Sequence, residues 1–370
     1  MCFLIIFMKN EHFFEKRCNI IINNNKLIKN DKEVILNEDN DIYCTDLRGG
    51  FAVFLLLKKL NSKNRLLNME YIERGYENYN ENINKILNSP IIQTSFSTKG
   101  LSNINIGGIC DYYGEFKNQD ELNKIINFCN DNRIKYRVIG SGYNIYFSEK
   151  YDGMIIKNKL ETFHDLTFSS GVALNDFVIY CAEMGYDVSS LAGIPGTIGG
   201  AVYGNAGAYG LEMSDIIESV RILKDGLIKE LKKDELEMEY RYSIFKKKNL
   251  NDIILTVTFK IEKSNLTQNE IKDKINNILE IRNKKFSLEN NIGSIYKNVI
   301  QNGDKIYAWE LLENFRGKMI NNIKISDNHP NIFINTNNAE FNDLQNLFEI
   351  IQNFVSIKYN IILEKEVECI

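Results

Sequence analysis

Apolar residues recur at two different spacings along this chain, and each spacing predicts a different element. In residues 120–131 they fall three or four positions apart, which predicts an amphipathic helix. The segments KYRVIG (135–140) and YDGMIIKN (151–158) flank a glycine turn and have the composition of short strands. ESVRILKDG (218–226) and DIILTVTFKIE (252–262) are also typical of strands.

The carboxy-terminal third repeats this mixture. Residues 268–284 predict a charged helix with one face of isoleucines. The isoleucines expected on that face are Ile271, Ile275, Ile278 and Ile281. A strand at 331–336, a helix at 341–357 and a last strand at 361–367 follow. The alternation predicts an α+β fold with several short strands, and it does not match a regular βαβ series.

The first ninety residues have a weaker pattern. Strand-like alternation at 19–25 and 32–38 precedes two predicted helices, at 51–60 and 70–88. The apolar run near residue 3 is too short to cross a bilayer and follows no basic region, so we expect neither a signal peptide nor an anchor. With 370 residues in the chain, we expect three units, at 1–92, 93–262 and 263–370.

Composition narrows the class of partner. The chain has 45 basic and 49 acidic residues, a net charge of −4, so no overall positive field attracts nucleic acid or a membrane surface. Seven scattered cysteines without a C-x-x-C pair, and only three histidines, favour reduced thiols in a cytoplasmic protein and argue against a metal site. Small-molecule chemistry is therefore the expectation.

Two glycine-rich segments are the strongest candidates for a ligand site. The first follows the strand at 135–140 and comprises Gly140, Ser141, Gly142, Tyr143 and Asn144. Its backbone amides are suited to a pyrophosphate, although a tight turn between strands is the alternative. It is not the G-x-G-x-x-G turn of a dinucleotide-binding βαβ unit, because a short strand and not a helix is predicted after it.

The second segment, LAGIPGTIGGAVYGNAGAYG (191–210), contains seven glycines in twenty positions. Glycine destabilises helix and strand interiors, so we expect a loop here. One interpretation is a buried loop packed between elements. The other is a loop whose main chain lies flat against a large cofactor.

Seven motifs in order make residues 95–370 resemble the UDP-N-acetylenolpyruvoylglucosamine reductase family. They are NINIGGICDYYGEF (103–116), the two glycine-rich segments, EYRYSIFK (239–246), GSIYKN (293–298), SDNHPNIFINTNNA (326–339) and LEKEV (363–367). The resemblance implies a vanillyl-alcohol-oxidase type FAD-binding domain, also called the PCMH type, in two α+β lobes. A substrate-binding domain is expected to follow it.

The same resemblance implies FAD and NADPH as cofactors and UDP-N-acetylglucosamine enolpyruvate as substrate. In this family both glycine-rich segments wrap FAD. The implied FAD-binding residues are Gly140, Ser141, Gly142, Tyr143, Asn144, Gly193, Ile194, Pro195, Gly196, Gly199, Gly200, Ala201, Asn205, Gly207, Ala208 and Tyr209.

The implied reaction passes hydride from NADPH through the flavin to the vinyl carbon of the substrate, giving UDP-N-acetylmuramate. By motif position, Arg241 is the cation beside the substrate carboxylate, Ser294 the proton donor and Glu366 the carboxylate that supports it. Tyr240 and Asn298 match positions near the substrate. Outside the motifs, each of these residues would be interpreted as part of a turn or a solvated surface.

Two other functions stay open from the sequence. A decayed flavoprotein would keep the fold without turnover, and the presence of all three implied catalytic residues argues against it. A different flavin oxidase of the superfamily often attaches FAD through histidine or cysteine near the glycine turn, and neither residue occurs between positions 138 and 157.

Residues 10–88 carry a second resemblance, to the carboxy-terminal end of UDP-N-acetylglucosamine 1-carboxyvinyltransferases. The matching motifs are Asp46-Leu47-Arg48 and Arg74-Gly75-Tyr76-Glu77. A full transferase needs several hundred residues, so we interpret this part as an inactive remnant or truncated fusion. The alternative is that it completes a transferase encoded on a separate chain.

Overall fold

In a computed structural model, the chain divides into two units, 1–89 and 90–370. The structure describes residues 92–247, 252–286, 290–301, 303–336 and 338–370, and five short strands before them. These strands are β1 Ile20–Asn23, β2 Lys26–Lys29, β3 Lys32–Val34, β4 Ile42–Tyr43 and β5 Leu66–Leu67. β1 and β3 lie within the two predicted strands. The predicted helices and both transferase-like motifs lie outside the described residues.

The second unit begins with a four-stranded sheet in the order β6-β7-β10-β8. Its elements are β6 Gln93–Ser97, β7 Ile109–Phe116, helix α1 Gln119–Asp131, β8 Tyr136–Ile139 and β10 Lys150–Asn158. β10 runs parallel to β7 and β8, and β6 is antiparallel to β7. The predicted helix and strands are confirmed. The short strand β9, Ile145–Tyr146, follows the glycine turn as expected.

A five-stranded antiparallel sheet in the order β11-β12-β17-β15-β16 comes next. Its strands are β11 Phe163–His164, β12 Thr167–Ser169, β15 Ile217–Lys224, β16 Leu227–Lys232 and β17 Ile253–Phe259. β17 alternates buried and half-buried positions along its whole length, the pattern of a strand with one face on the core.

Short helices and hairpins connect the strands of this sheet. They are α2 Leu174–Glu183, α3 Ile198–Tyr203, β13 Gly207–Ala208, β14 Leu211–Glu212 and α4 Met213–Ile216. Two of these elements, α3 and β13, fall inside the second glycine-rich segment, and the segment begins at the last residue of a 3-10 turn, Ser189–Leu191. Phe177 of α2 packs against Phe259 of β17, with ring centroids 4.3 Å apart.

The last part of the chain contains two long helices and four small strand pairings. Its elements are α5 Gln268–Lys285, β18 Val299–Gln301, β19 Asp304–Ile306, α6 Ala308–Leu311, β20 Met319–Ile320, β21 Ile323–Ile325, β22 Phe333–Asn335, α7 Phe341–Tyr359 and β23 Glu368–Cys369. Its core also takes in Ile104, Ile106 and Tyr146 from the first sheet region. No helix in the described ranges is both long enough and apolar enough to span a bilayer.

One expectation from the sequence is wrong, and another holds along only part of its length. Ile271 and Ile275 of α5 are buried and Ile278 packs half-buried on the same core, whereas Ile281 is 53% exposed, so the isoleucine face is not covered to its end. The strand expected at 361–367 is wrong, because this segment forms one isolated bridge, Tyr296 to Lys365, then bends, and β23 forms only beyond it. Alternating apolar residues indicate that one face of a segment is buried, and a segment can have such a face without pairing as a β-strand.

His329 is buried, and burial together with nearby Lys285 lowers the pKa of His329 to about 4. The unfolded chain therefore binds a proton at this residue more readily than the folded chain. We expect the free energy of unfolding to fall by up to about 3 kcal/mol as pH drops from about 6.5 to 4. Denaturant titrations of His329→Gln should lack this part of the pH dependence. His164→Gln, at a 91% exposed side chain, should retain it.

Candidate active site

In the first glycine-rich turn, two carbonyls accept hydrogen bonds from distant parts of the chain. The Gly142 carbonyl accepts from the Asn103 amide at 3.0 Å, and the Asn144 carbonyl accepts from the Glu368 amide at 3.1 Å. Within the described residues, the amides at positions 141–144 donate to no carbonyl. Four neighbouring amides without a carbonyl acceptor are available to an anion, which fits the pyrophosphate of FAD.

Gly142 is the position in this turn that requires glycine. Its φ is +80°, and a Cβ there would lie 2.1 Å from the Leu101 carbonyl oxygen. We expect Gly142→Ala to weaken FAD binding at least tenfold, because the left-handed conformation alone costs a side chain about 1–2 kcal/mol and the clash adds to it. Gly100→Ala is the matched control, since no atom lies within 4 Å of a Cβ there. Fluorescence titration of apoprotein with FAD measures both, and equal affinities would contradict this role.

The second glycine-rich segment is only partly the loop that was expected. Residues 198–203 form helix α3, in which the Thr197 hydroxyl caps the Gly200 amide. The Gly199 amide donates to the Ser170 carbonyl at 2.8 Å, and a Cβ on Gly199 would lie 2.8 Å from the Ser170 Cβ. Position 199 of this helix requires glycine because the segment at Ser170 lies too close for a side chain.

Outside α3, two carbonyls of this segment accept hydrogen bonds, one from a side chain and one from the main chain. Arg282 of α5 donates from Nε to the Gly193 carbonyl at 3.1 Å, and the Leu174 amide donates to the Gly196 carbonyl at 3.0 Å. Both glycines have a positive φ, +71° at Gly193 and +111° at Gly196. A Cβ on Gly196 would meet open space, which leaves room for a ligand beside the chain.

The other implied FAD-binding residues differ in burial and in hydrogen bonding. The Asn205 side chain is buried and bonds Glu212, the Glu239 carbonyl and the Ser214 amide, so it holds the segment together. Ala201 is buried and Tyr209 is 53% exposed. The remaining members, Ile194, Pro195 and Ala208, are half-buried or exposed.

Tyr240 and Arg241 form the tip of a two-residue turn. The amides and carbonyls of Glu239 and Tyr242 bond each other at 3.0 and 3.1 Å, so both tip side chains project from it. Arg241 has a φ of +56°, which is unusual for a residue with a side chain. Such strain persists where surrounding contacts fix the residue, and it occurs often at functional sites.

Those contacts join Arg241 to the second glycine-rich segment and to the carboxy-terminal end of the chain. Arg241 Nε lies 2.8 Å from Glu366 Oε1, and Arg241 Nη2 donates to the Gly207 carbonyl at 3.0 Å. Arg241 Nη1 lies 3.4 Å from the Asn205 carbonyl and 3.6 Å from Glu212. A guanidinium has five N–H donors, so these contacts leave donors for a ligand.

Glu366 is the carboxylate at this site. Burial raises the pKa of Glu366, and the neighbouring charges of Arg241, Lys246 and Lys297 oppose that rise. The Glu366 carbonyl accepts from the Asn144 side chain at 3.1 Å. The segment around Glu366 therefore touches the first glycine-rich turn as well as Arg241.

Ser294 lies on an irregular segment that a buried asparagine fixes. Asn331 Oδ1 accepts from the Tyr296 amide at 3.0 Å, and Asn331 Nδ2 donates to the Tyr296 carbonyl at 2.8 Å. Ser294 follows Gly293, which has a φ of +76°, and precedes Ile295, whose carbonyl accepts from the Glu366 amide at 2.8 Å. The structure thus brings the Ser294 segment against Glu366.

Tyr240 and Asn298 line one cavity of about 480 Å³. Asn298 Nδ2 donates to the Tyr240 hydroxyl at 3.1 Å, and Asn298 Oδ1 accepts from the Ala308 amide. The other lining residues are Glu239, Tyr242, Lys297, Val299, Ile300, Ile362 and Glu364. The lining combines aromatic, aliphatic and amide groups with one lysine and two glutamates, a mixture suited to a polar small molecule.

Two family models match this chain. An FAD binding domain matches residues 111–232, and the carboxy-terminal domain of UDP-N-acetylenolpyruvoylglucosamine reductase matches residues 284–370. A protein of that name from Lachnoclostridium phytofermentans is 33% identical, over 72% of this chain and 88% of its own. The chain belongs to the UDP-N-acetylenolpyruvoylglucosamine reductase family.

Other members of this reductase family agree in extent and fold. The reductase of Caldanaerobacter subterraneus is 31% identical over 78% of this chain and 97% of its own. The crystal structure of the Thermus caldophilus reductase superposes with a TM-score of 0.62 and 24% identity, covering 76% of this chain and 98% of that one. Its fold is therefore shared, and an FAD-binding domain followed by the reductase carboxy-terminal domain is confirmed.

Sequence reasoning missed the residues that hold the implied site residues in place. Asn331 fixes the Ser294 segment, and Arg282 fixes Gly193. Asn331 lies inside the motif SDNHPNIFINTNNA, which was a usable signal. Arg282 is one cation in a charged helix, and nothing in its spacing separates it from its exposed neighbours.

Proposed function

We propose that this reductase adds hydrogen across the enolpyruvyl double bond of UDP-N-acetylglucosamine enolpyruvate through Arg241, Ser294 and Glu366. The observation that carries the proposal is the Arg241–Glu366 pair. It joins the second glycine-rich segment, the first glycine-rich turn and the Ser294 segment at one place. A surface ion pair would not connect three segments so far apart in sequence.

The two glycine-rich segments hold FAD in this proposal. The free amides of the turn at 141–144 would bind the pyrophosphate, and the open space beside the main chain at Gly196 would take part of the flavin. When bound, FAD supplies the redox chemistry by taking hydride from NADPH and giving it to the vinyl carbon.

Arg241 orients and polarises the substrate carboxylate. Its guanidinium is fixed by Glu366 and Gly207, so its remaining N–H donors point in a set direction before substrate arrives. Negative charge that develops beside the substrate carboxylate is stabilised by this prearranged cation. Because protein surrounds the guanidinium, which is 20% exposed, water screens this charge less than it would screen a surface charge.

Ser294 supplies the proton in this proposal. Its hydroxyl lies on a segment that Gly293 turns and Asn331 fixes, which limits its freedom before reaction. A positioned proton donor typically contributes 10²–10⁴-fold to a rate. Glu366, ionised by its pairing with Arg241, holds the Arg241 guanidinium and the Ser294 segment together.

The remainder of the substrate occupies the cavity that Tyr240 and Asn298 line. The Lys297 ammonium, 15% exposed, is paired with the exposed Glu364 carboxylate. An incoming diphosphate can replace Glu364 as the partner of Lys297 without leaving the lysine unpaired.

Product analysis tests this function. Protein loaded with FAD should consume more than one equivalent of NADPH per flavin under anaerobic conditions only when UDP-N-acetylglucosamine enolpyruvate is present, and mass spectrometry should find a product with two added hydrogen atoms. NADPH consumption without that product would show a different acceptor and overturn the assignment.

A further inference from the structure

Four polar side chains form a cluster next to the candidate active site that the proposed reaction does not use. Arg137 Nη2 donates to the Tyr203 hydroxyl at 2.6 Å and to Glu368 Oε2 at 2.8 Å, and the Tyr203 hydroxyl donates to Glu368 Oε2 at 2.9 Å. Lys246 Nζ lies 3.8 Å from Glu368 Oε1. Arg137 and Lys246 also lie over the Tyr203 ring, at 5.3 and 5.6 Å from its centroid.

The cluster joins elements that are distant in sequence. Arg137 comes from β8, Tyr203 from the end of α3, Lys246 from a 3-10 turn at Ile244–Lys246, and Glu368 from β23. All four side chains are half-buried. Such charged groups, largely removed from water, interact more strongly than surface ion pairs do.

Glu368 lies two residues after Glu366 in the sequence, and both residues bond the same residue of the first glycine-rich turn. The Glu368 amide donates to the Asn144 carbonyl, and the Asn144 side chain donates to the Glu366 carbonyl. The position of Glu366 is therefore coupled to that of Glu368 through one residue of the glycine-rich turn.

Lys246 lies within the electrostatic field of both glutamates. Burial lowers the pKa of Lys246, and Glu368, together with Glu366, opposes that fall. The charged groups around Glu366 are the cations Arg241, Lys246 and Lys297, and the carboxylates that compete for them, Glu212, Glu364 and Glu368. Of these, Lys246 and Glu368 form a pair that touches neither the cavity nor the implied catalytic groups.

We propose that Lys246 and Glu368 are positioning residues for Glu366 and that their charges act on its ionisation in opposite directions. The positive charge of Lys246 favours loss of the Glu366 proton, and the negative charge of Glu368 opposes it. The proposal rests on the proposed function, in which ionised Glu366 holds Arg241. The rate of substrate reduction should therefore fall as pH drops through the pKa of Glu366. Because burial raises that pKa, this acid limb should lie above the ordinary range for a glutamate.

The pH dependence of single-turnover reduction of substrate, in protein loaded with FAD and pre-reduced by NADPH, tests the proposal. Lys246→Met removes a positive charge, so the acid limb should move to higher pH, by about one unit. Glu368→Gln removes a negative charge, so the limb should move to lower pH by a similar amount. Tyr203→Phe removes a hydrogen bond but no charge and should leave the limb in place. Lys247→Met is the matched control, because Lys247 pairs with Glu237 at the surface.

Each outcome has a separate meaning. Shifts in opposite directions support the proposal, and a loss of structure would move both variants together. No shift, or shifts of both variants in the same direction, would overturn it. Glu366→Gln should abolish the limb, and a limb that persists there would contradict the proposed role of Glu366 and not the cluster itself. If Glu368→Gln fails to fold, the direction of the Lys246→Met shift alone still decides.

Discussion

Ser294→Ala should slow reduction of the enolpyruvyl substrate by about 100-fold or more and leave reduction of bound FAD by NADPH unchanged. The substitution removes only the hydroxyl, and Gly293 and Asn331 still fix the main chain of the segment. Stopped-flow absorbance separates the two half-reactions, because oxidised and reduced flavin differ in colour. Ser294→Cys, which keeps an exchangeable proton, should retain part of the rate.

Ser264→Ala is a suitable control for this variant. Its hydroxyl accepts from the Leu266 amide at an exposed turn before α5, and we expect no change in either half-reaction. An equal loss of both half-reactions in Ser294→Ala would mean that the residue supports structure, and the proton donor would have to be sought elsewhere.

Arg241→Lys should lower the rate constant for substrate reduction by about 100-fold or more and weaken substrate binding. A lysine ammonium is a point charge, and it cannot bridge Glu366 and the Gly207 carbonyl while it also contacts a carboxylate. Reduction by NADPH should be affected much less. Stopped-flow measurements over a range of substrate concentrations separate binding from the rate of the step.

The control for Arg241 is Arg316→Lys. Arg316 is also an arginine in an ion pair, with Glu313, at a third of full exposure. Exposed pairs of this kind contribute little, so we expect this variant to behave as wild type. A fully active Arg241→Lys enzyme would mean that another group neutralises the substrate carboxylate.

Long elements with a clear period were predictable from the sequence. Helices α1 and α7 and strand β17 combine strong periodicity with burial on one face. The boundaries of both helices fall within two residues of expectation, and β17 ends three residues earlier than expected. The shorter elements depend on neighbours that local sequence does not contain. α3 forms in a glycine-rich segment because Thr197 caps it and Ser170 packs against Gly199.

The site was predictable only through motifs. Resemblance to a reductase family, and not charge or periodicity, identified Arg241, Ser294 and Glu366, and their assigned roles stay predictions. Nothing in the local sequence distinguishes Lys246 from Lys247. In the structure, however, Lys246 lies near Glu368, and Lys247 forms a surface ion pair with Glu237. Contacts between residues that lie 100 or more positions apart depend on the tertiary fold, which local sequence does not encode. The transferase resemblance of residues 10–88 also stays a prediction.

One measurement tests the central claim most directly: the absorbance spectrum of purified protein as anaerobic NADPH, and then UDP-N-acetylglucosamine enolpyruvate, are added. We expect yellow protein that loses its colour with NADPH and recovers it only with that substrate. Protein that stays colourless after reconstitution with FAD, or reduced protein that the substrate does not reoxidise, would contradict the account.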